Sequence, residues 1–335
     1  MRLNRIITVE WIAQKLLYRF EETGPLIELL LDINSDSHRI GELSQYLIIQ
    51  GSFDPPTSSH IDIISKAIDF HSRLKPSDPI KVILLLSLSH VEKKMDVLNR
   101  SLFGYRVEML ERLFSSLEMN TPISIGLSNV ALYIDLIDAV KQISINKKRF
   151  AFIMGMDVFK KLLEPSYYSM PLEQALPFIF KADYYIAGRK DIFSNEEFNT
   201  FLNENLGERF QKNVHFISLE ESHRFLSASI IREMFSRKET IPETYIHPTI
   251  SNYLRENKIY QLTPIWMATK IAIQSVVQLT LTAGRDQLTA NKILKRLLPE
   301  IKSDISLQQK LIAEYKTGRK AEIRKKWTQI INLVS

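Results

Sequence analysis

A chain of 335 residues, 45% apolar and 24% charged, has side chains enough for one full core and a smaller appended unit, which excludes disorder as its main state. No cysteine is present, so disulfides, thiolate metal sites and cysteine nucleophiles are excluded together, and the seven histidines show no metal-ligand spacing. The net charge of +6 belongs to residues 262–335, which hold 13 Lys and Arg against 5 Asp and Glu.

Residues 1–45 precede the first expected strand. Val9, Ile12, Ala13, Leu16, Leu17 and Phe20 share one helical face, and Leu26 to Ile33 continues as a second apolar segment, so a helical N-terminal extension is expected. Glu10, Lys15 and Arg19 interrupt the apolar positions and leave no signal-peptide core. His38 and Arg39 fall in a polar connector.

The apolar run Tyr46-Leu47-Ile48-Ile49 leads into GSFDPPTSSH, Gly51 to His60, and then into a helical pattern at Ile61, Ile64 and Ile68. A strand, a turn and a helix start in that order present free backbone N–H groups and the positive end of a helix dipole to an anion. Thr57, Ser58, Ser59 and His60 add hydrogen-bond donors for phosphate oxygens, and the imidazole is also read as a potential cation. Taken alone, the same loop is a plain turn with a capped helix.

Further strands are expected at Lys81 to Leu88, Ile123 to Ser128, Phe150 to Met154, Lys181 to Ala187 and Val214 to Leu219, each separated by a helical pattern. This alternation predicts an α/β fold with a parallel sheet and right-handed crossovers. The sixth strand feeds a second serine-rich helix start, Leu226 to Phe235, with Arg232 one turn in. Two phosphate-type helix starts at the carboxyl ends of strands can face one polyphosphate.

These two stretches together resemble the nicotinate/nicotinamide mononucleotide adenylyltransferase family of the HxGH-type nucleotidyltransferase superfamily, over roughly residues 46 to 261. The family opens with GxFDPxHxGH or GSFNPxTxxH and closes with ISSTxIR, followed by a tail that Tyr253-Leu254 and Ile259-Tyr260 match here. Thr57 stands where the bacterial-type motif has its first histidine, and Ser59 where it has Gly or Met.

The resemblance implies a Rossmann-like doubly wound sheet and the joining of ATP to nicotinate or nicotinamide mononucleotide, with release of pyrophosphate, in NAD biosynthesis. It assigns His60, Thr57 and Arg232 to catalysis and Gly51, Ser52, Phe53, Ser227, Ser229 and Ile230 to ATP. Gly155 and Asp157 match its GAD motif, where a carboxylate at a strand end accepts ribose or amide hydrogens. Lys93 or Lys94 matches a loop lysine, Arg106 a helix arginine, Tyr168 or Tyr167 a stacking aromatic and Arg189 an Arg-x-Gly turn, all on the mononucleotide side. For the pyridine pocket the chain offers Ser128, Asn129, Ala131 and Tyr133 in place of the family's Ser-Tyr-Thr. Magnesium, carried with ATP, would neutralise the polyphosphate through its oxygens and water.

Beyond Gln261, Thr263-Pro264 starts a basic helical C-terminal domain, residues 262–335, which is not a standard part of the family. Ile323, Trp327, Ile330, Ile331 and Val334 make an apolar face, and Lys320, Arg324, Lys325 and Lys326 crowd the rest. No aromatic interleaving accompanies those charges, so the face is read as solvated and not as a nucleic-acid surface; a homo-oligomer contact is the other use of it. The run Ile265 to Leu281 carries Lys270, Gln274 and Gln278 and is too short to span a bilayer. A cytoplasmic protein without membrane contact is expected. Two other readings stay open: another adenylyl or cytidylyl transferase, such as a pantetheine-phosphate enzyme, and a non-catalytic nucleotide sensor.

Overall fold

The computed structural model describes residues 2–18, 20–34, 45–76, 78–88, 100–130, 132–143, 149–189, 192, 194–261 and 263–316. His38, Arg39, His90, Lys93, Lys94, Ala131 and the expected apolar and basic faces around Trp327 lie outside these residues.

The chain opens with α1 (Arg2–Tyr18), α2 (Phe20–Thr23) and β1 (Ile27–Ile33), then β2 (Gln45–Gly51), α3 (Ser58–Leu74) and β3 (Ile80–Ser87). Next come α4 (Phe103–Ser116), β4 (Ile123–Ser128), α5 (Tyr133–Ile143), β5 (Arg149–Gly155), α6 (Met156–Leu162), α7 (Leu172–Ile179) and β6 (Asp183–Ala187). The main domain ends with α8 (Asn195–Asn205), α9 (Glu208–Gln211), β7 (Val214–Ile217), α10 (Ala228–Ser236) and α11 (Pro248–Glu256). Three further helices follow, α12 (Pro264–Thr282), α13 (Gln287–Ser303) and α14 (Ile305–Lys316).

Seven strands form one sheet in the order β1-β4-β3-β2-β5-β6-β7. The last six are mutually parallel, and the apolar runs of β3 and β4 are buried almost throughout because helices cover both faces. One face packs on α3, α4 and α11, the other on α5 to α8. The doubly wound α/β expectation therefore holds.

The amino-terminal extension is not wholly helical. Leu26 to Ile33, the second apolar segment, falls in an extension expected to be helical, but Ile27–Ile33 is an edge strand, antiparallel to β4. A short leucine-rich run has no period that separates helix from strand, and tertiary pairing decides it. Asp32 of β1 accepts from Ser124 and from Lys81 Nζ, the latter at 2.9 Å, which fastens the edge to β3 and β4. Asn129, a candidate for the pyridine pocket, is spent on the same junction: it accepts from Leu26 N–H at 2.8 Å and donates to the carbonyls of Leu16 and Gly24.

The two extensions share a core. Val9, Ala13 and Leu16 of α1 turn to α4 and the sheet, whereas Ile6, Ile7 and Trp11 pack with Ala272, Ile273, Val276 and Ile293 of α12 and α13. At Gly104 a Cβ would lie 2.6 Å from Ile6 Cα, so glycine allows α1 to cross the start of α4 at backbone contact. Glu10 is fully buried there and accepts from Gly104 N–H at 3.1 Å. No helix among the described residues is long and apolar enough to cross a membrane.

Burial raises the Glu10 carboxyl to about 7, against the opposing pull of the Gly104 N–H, Arg106, the Phe103 N–H and Lys270. Its folded value thus exceeds its unfolded one, so its contribution to stability is full below about pH 4.5 and is lost as pH rises through about 7. Glu10→Gln removes that loss. Thermal melts should show the variant close to wild type at pH 5 and more stable at pH 8.5, by on the order of 3 kcal/mol; equal melting curves at both pH values would contradict the raised carboxyl.

Candidate active site

Strand order reverses between β2 and β5, so the crossovers on either side diverge and open a crevice beyond their carboxyl ends. The crevice holds a cavity of about 360 Å³, in the range of small-ligand sites. Gly51, Ser52, Phe53, His60, Gly155, Asp157, Tyr168 and Arg189 all line it, with Tyr133, Lys161 and Tyr167. Eight of the residues expected to bind from distant parts of the chain therefore meet in one place.

The turn after β2 makes the floor. Phe53 adopts a φ of +44°, a left-handed conformation that costs a non-glycine residue about 1 kcal/mol or more. Its buried ring, centred 5.0 Å from the His60 ring, offsets that cost by packing beneath the imidazole.

Thr57 is the N-cap of α3 and His60 the third residue of the helix. The Thr57 N–H donates to His60 Nδ1 at 2.9 Å, and the Thr57 hydroxyl lies 2.8 Å from the same nitrogen. A ring nitrogen that accepts a main-chain N–H carries no proton, so neutral His60 holds its proton on Nε2, at the ring edge away from Thr57. Burial, helped by the charge of Arg189, lowers the His60 pKa to about 4. The imidazole is a neutral donor, not the cation its position in the motif suggested. Thr57 is 1% exposed and outside the cavity lining, so its hydroxyl serves the imidazole and is not presented to a phosphate.

Gly155 ends β5 and caps α6. A Cβ at this position would lie 2.6 Å from Asp157 Oδ1 and 3.1 Å from Arg189 Cδ. Glycine here makes room for a carboxylate and a guanidinium to close over the strand end. Arg189 Nη2 donates to the Leu226 carbonyl at 2.8 Å, next to Ser227, and its buried Nε–H has no acceptor. Tyr168 donates its hydroxyl to the Leu162 carbonyl at 2.7 Å. Burial pushes the hydroxyls of Tyr168 and Tyr133 up, aided at Tyr133 by the charge of Asp157, so both rings stay neutral.

Two residues assigned to ligand contact are instead built into the support of the turn. Arg106 is buried, paired with Asp54 at 3.4 Å and bonded to the Ser101 carbonyl at 2.8 Å. Arg232 donates to the Asp54 carbonyl at 2.5 Å and lies 4.0 Å from its carboxylate. Neither lines the cavity. The reason is the Asp54 carboxylate, which has no exposed surface and draws in cations to compensate its burial. It also accepts from Ser101 N–H at 3.0 Å, Ser101 Oγ at 2.5 Å and the Tyr260 hydroxyl at 2.6 Å. Burial alone would raise its pKa; Arg106, Arg232 and these hydrogen bonds hold the carboxyl below the usual range.

Ser227 is the N-cap residue of α10, its Oγ 2.8 Å from that of Ser229, and neither serine nor Ile230 lines the cavity. Lys93 lies outside the described residues. Sequence reasoning missed Arg100, whose Nη1 donates to Ser52 Oγ at 2.9 Å, and gave no role to Asp54. Asp54 stood inside the motif, but nothing in a sequence tells a buried carboxylate from an exposed one. Among the described residues no group of three or more His, Asp or Glu side chains is placed to hold a metal ion.

No protein-family model matches the chain, and no curated protein matches it. Among solved structures it is similar to the Plasmodium falciparum nicotinic acid mononucleotide adenylyltransferase complexed with APC, at 19% identity and a TM-score of 0.47, over 66% of this chain and 98% of that one. It is also similar to a proposed nicotinate-nucleotide adenylyltransferase from Vibrio parahaemolyticus, at 16% identity and a TM-score of 0.39, with the same coverage.

The folded pKa of His60 lies below its unfolded value, so its contribution to stability is full above about pH 6.5 and is lost as pH falls through about 4. Nitrogen-detected NMR of the imidazoles should find His60 neutral at pH 6, protonated on Nε2 and titrating near pH 4. A midpoint near 6.5 would contradict the burial of the ring, and a proton on Nδ1 would show that the Thr57 bond does not fix it.

Proposed function

We propose that the protein is an adenylyltransferase that joins ATP to nicotinate or nicotinamide mononucleotide. An oxygen of the mononucleotide's 5′-phosphate attacks the α-phosphorus in line. The bond from that phosphorus to the bridging oxygen breaks, and pyrophosphate leaves with the electron pair. No covalent protein intermediate is needed, so positioning and charge stabilisation carry the reaction.

One observation supports this reading above the others: the His60 ring is held at Nδ1 by the helix cap, which leaves Nε2–H as its donor, and His60 lines the same cavity as Arg189. A fixed neutral donor beside a fixed cation suits an α-phosphate whose charge grows in the transition state. Behind Ser52, the guanidiniums of Arg100, Arg106 and Arg232 outnumber the Asp54 carboxylate, and this surplus favours the β- and γ-phosphates at the edge of the site. Ser227 and Ser229 at the start of α10 extend the same anion-binding surface. Asp157, with Tyr133, Tyr167 and Tyr168, would hold the pyridine nucleotide. Magnesium would enter as MgATP and stay on phosphate and water oxygens. A cytoplasmic location fits these substrates.

A nucleotide sensor without catalysis is the second reading, favoured by the engagement of Arg232 with the Asp54 carbonyl. The test is to incubate the protein with MgATP and each mononucleotide and follow pyrophosphate release. Release with a pyridine mononucleotide, reduced about a hundredfold or more in His60→Ala of unchanged melting temperature, is the expected outcome. Release only with phosphopantetheine would move the assignment to another adenylyltransferase. Nucleotide binding with no release from any acceptor would leave the sensor.

A further inference from the structure

One buried cation on the appended helices has no part in the site as described so far. Lys270, on α12, is 3% exposed. Its Nζ donates to the main-chain carbonyl of Arg100 and lies 4.8 Å from the centre of the Trp266 ring. Burying an ammonium costs several kcal/mol before compensation, so an apolar side chain of similar length would pack there at less cost if packing were all that mattered.

What Lys270 holds is the short segment that grips the active-site turn. The guanidinium of Arg100 reaches Ser52 Oγ at 2.9 Å, and Ser52 lines the cavity. Ser101, the next residue, gives Asp54 two hydrogen bonds, and its carbonyl accepts from Arg106. One anchored carbonyl thus fixes the origin of bonds to both Ser52 and Asp54. Glu10 converges on the same segment from α1, at the Gly104 N–H, and both Lys270 and Arg106 act on its charge. Among the described residues neither appended segment lines the cavity, yet both end on the residues that position it.

We propose that Lys270 is a positioning residue for the nucleotide site, and that the carboxyl-terminal helices complete that site by anchoring the Arg100–Ser101 segment behind Ser52 and Asp54. The activity readout rests on the adenylyl-transfer reading; the exchange readout does not.

The test uses the full chain as wild type, Lys270→Met, Lys270→Arg and Arg100→Met, and measures amide hydrogen exchange without nucleotide and steady-state kinetics with MgATP. In Lys270→Met, amides of residues 51–57 and 101–104 should exchange about tenfold faster, the effect of one lost buried hydrogen bond, with α13 and α14 as protected as in wild type. KM for MgATP should rise about tenfold with kcat changed far less, and Lys270→Arg should recover most of both effects. Arg100→Met, which keeps the Lys270 bond, should reproduce the KM change with faster exchange confined to residues 51–57. Unchanged exchange at the turn, or a uniform rise across α12 to α14, would reduce Lys270 to a packing role and overturn the proposal. Wild type that releases no pyrophosphate would sink the adenylyl-transfer reading alone, since the exchange result still decides this one.

Discussion

A carboxylate with no access to water, that of Asp54, is the group on which the turn after β2 depends. Removing such a charge from solvent is tolerable only where cations and hydrogen bonds surround it. Arg106, Ser101, Arg232 and Tyr260 do so from three segments that are remote in the chain. The requirement draws α4, α10 and the segment after α11 onto the same turn. The first and second motifs are therefore one structural unit, and the arginine of the second serves the geometry of the first.

The compensation exceeds the charge it compensates. Arg100, Arg106, Arg232 and Lys270 gather around Asp54 and Glu10, and burial leaves Glu10 only partly ionised near neutral pH. In a partly desolvated setting a surplus of this kind acts over several ångströms with little screening. It lies behind Ser52, at the rim of the cavity and not within it. An anion seated at the turn would feel that field without displacing any of the bonds that hold the turn.

Much of this was legible in the chain. The apolar runs at Leu47, Leu84, Ile125 and Ile153 read as buried strands because a sheet covered on both faces needs no alternation, and the glycine and proline punctuation marked their ends. That His60, Gly155, Asp157 and Arg189 would meet was legible because each lies near the carboxyl end of a strand, and all four line the one cavity there. Side-chain direction was not legible. Thr57, Arg106 and Arg232 have the right chemistry for phosphate, and only the fold shows Thr57 turned to the His60 ring and both arginines turned to Asp54. The edge strand at Ile27 was hidden for a different reason: its run is leucine-rich and short, and Asp32 and the facing strand β4 decide its form.

The protonation of His60 narrows what it can contribute to the proposed transfer. An imidazole with a pKa of about 4 is almost never charged near neutral pH, so it has little proton to give as a general acid. The reaction asks for none, because the attacking 5′-phosphate is already mostly ionised and pyrophosphate leaves as a stable anion. What the step does need is a donor whose position is settled before charge builds on the α-phosphate. A ring clamped at Nδ1 by a main-chain N–H, packed on Phe53 and kept neutral by burial and by Arg189, meets that need without adding a further cation to an already cationic site. The low pKa is thus the counterpart of the arginine surplus: the guanidiniums supply the field, and the imidazole supplies direction.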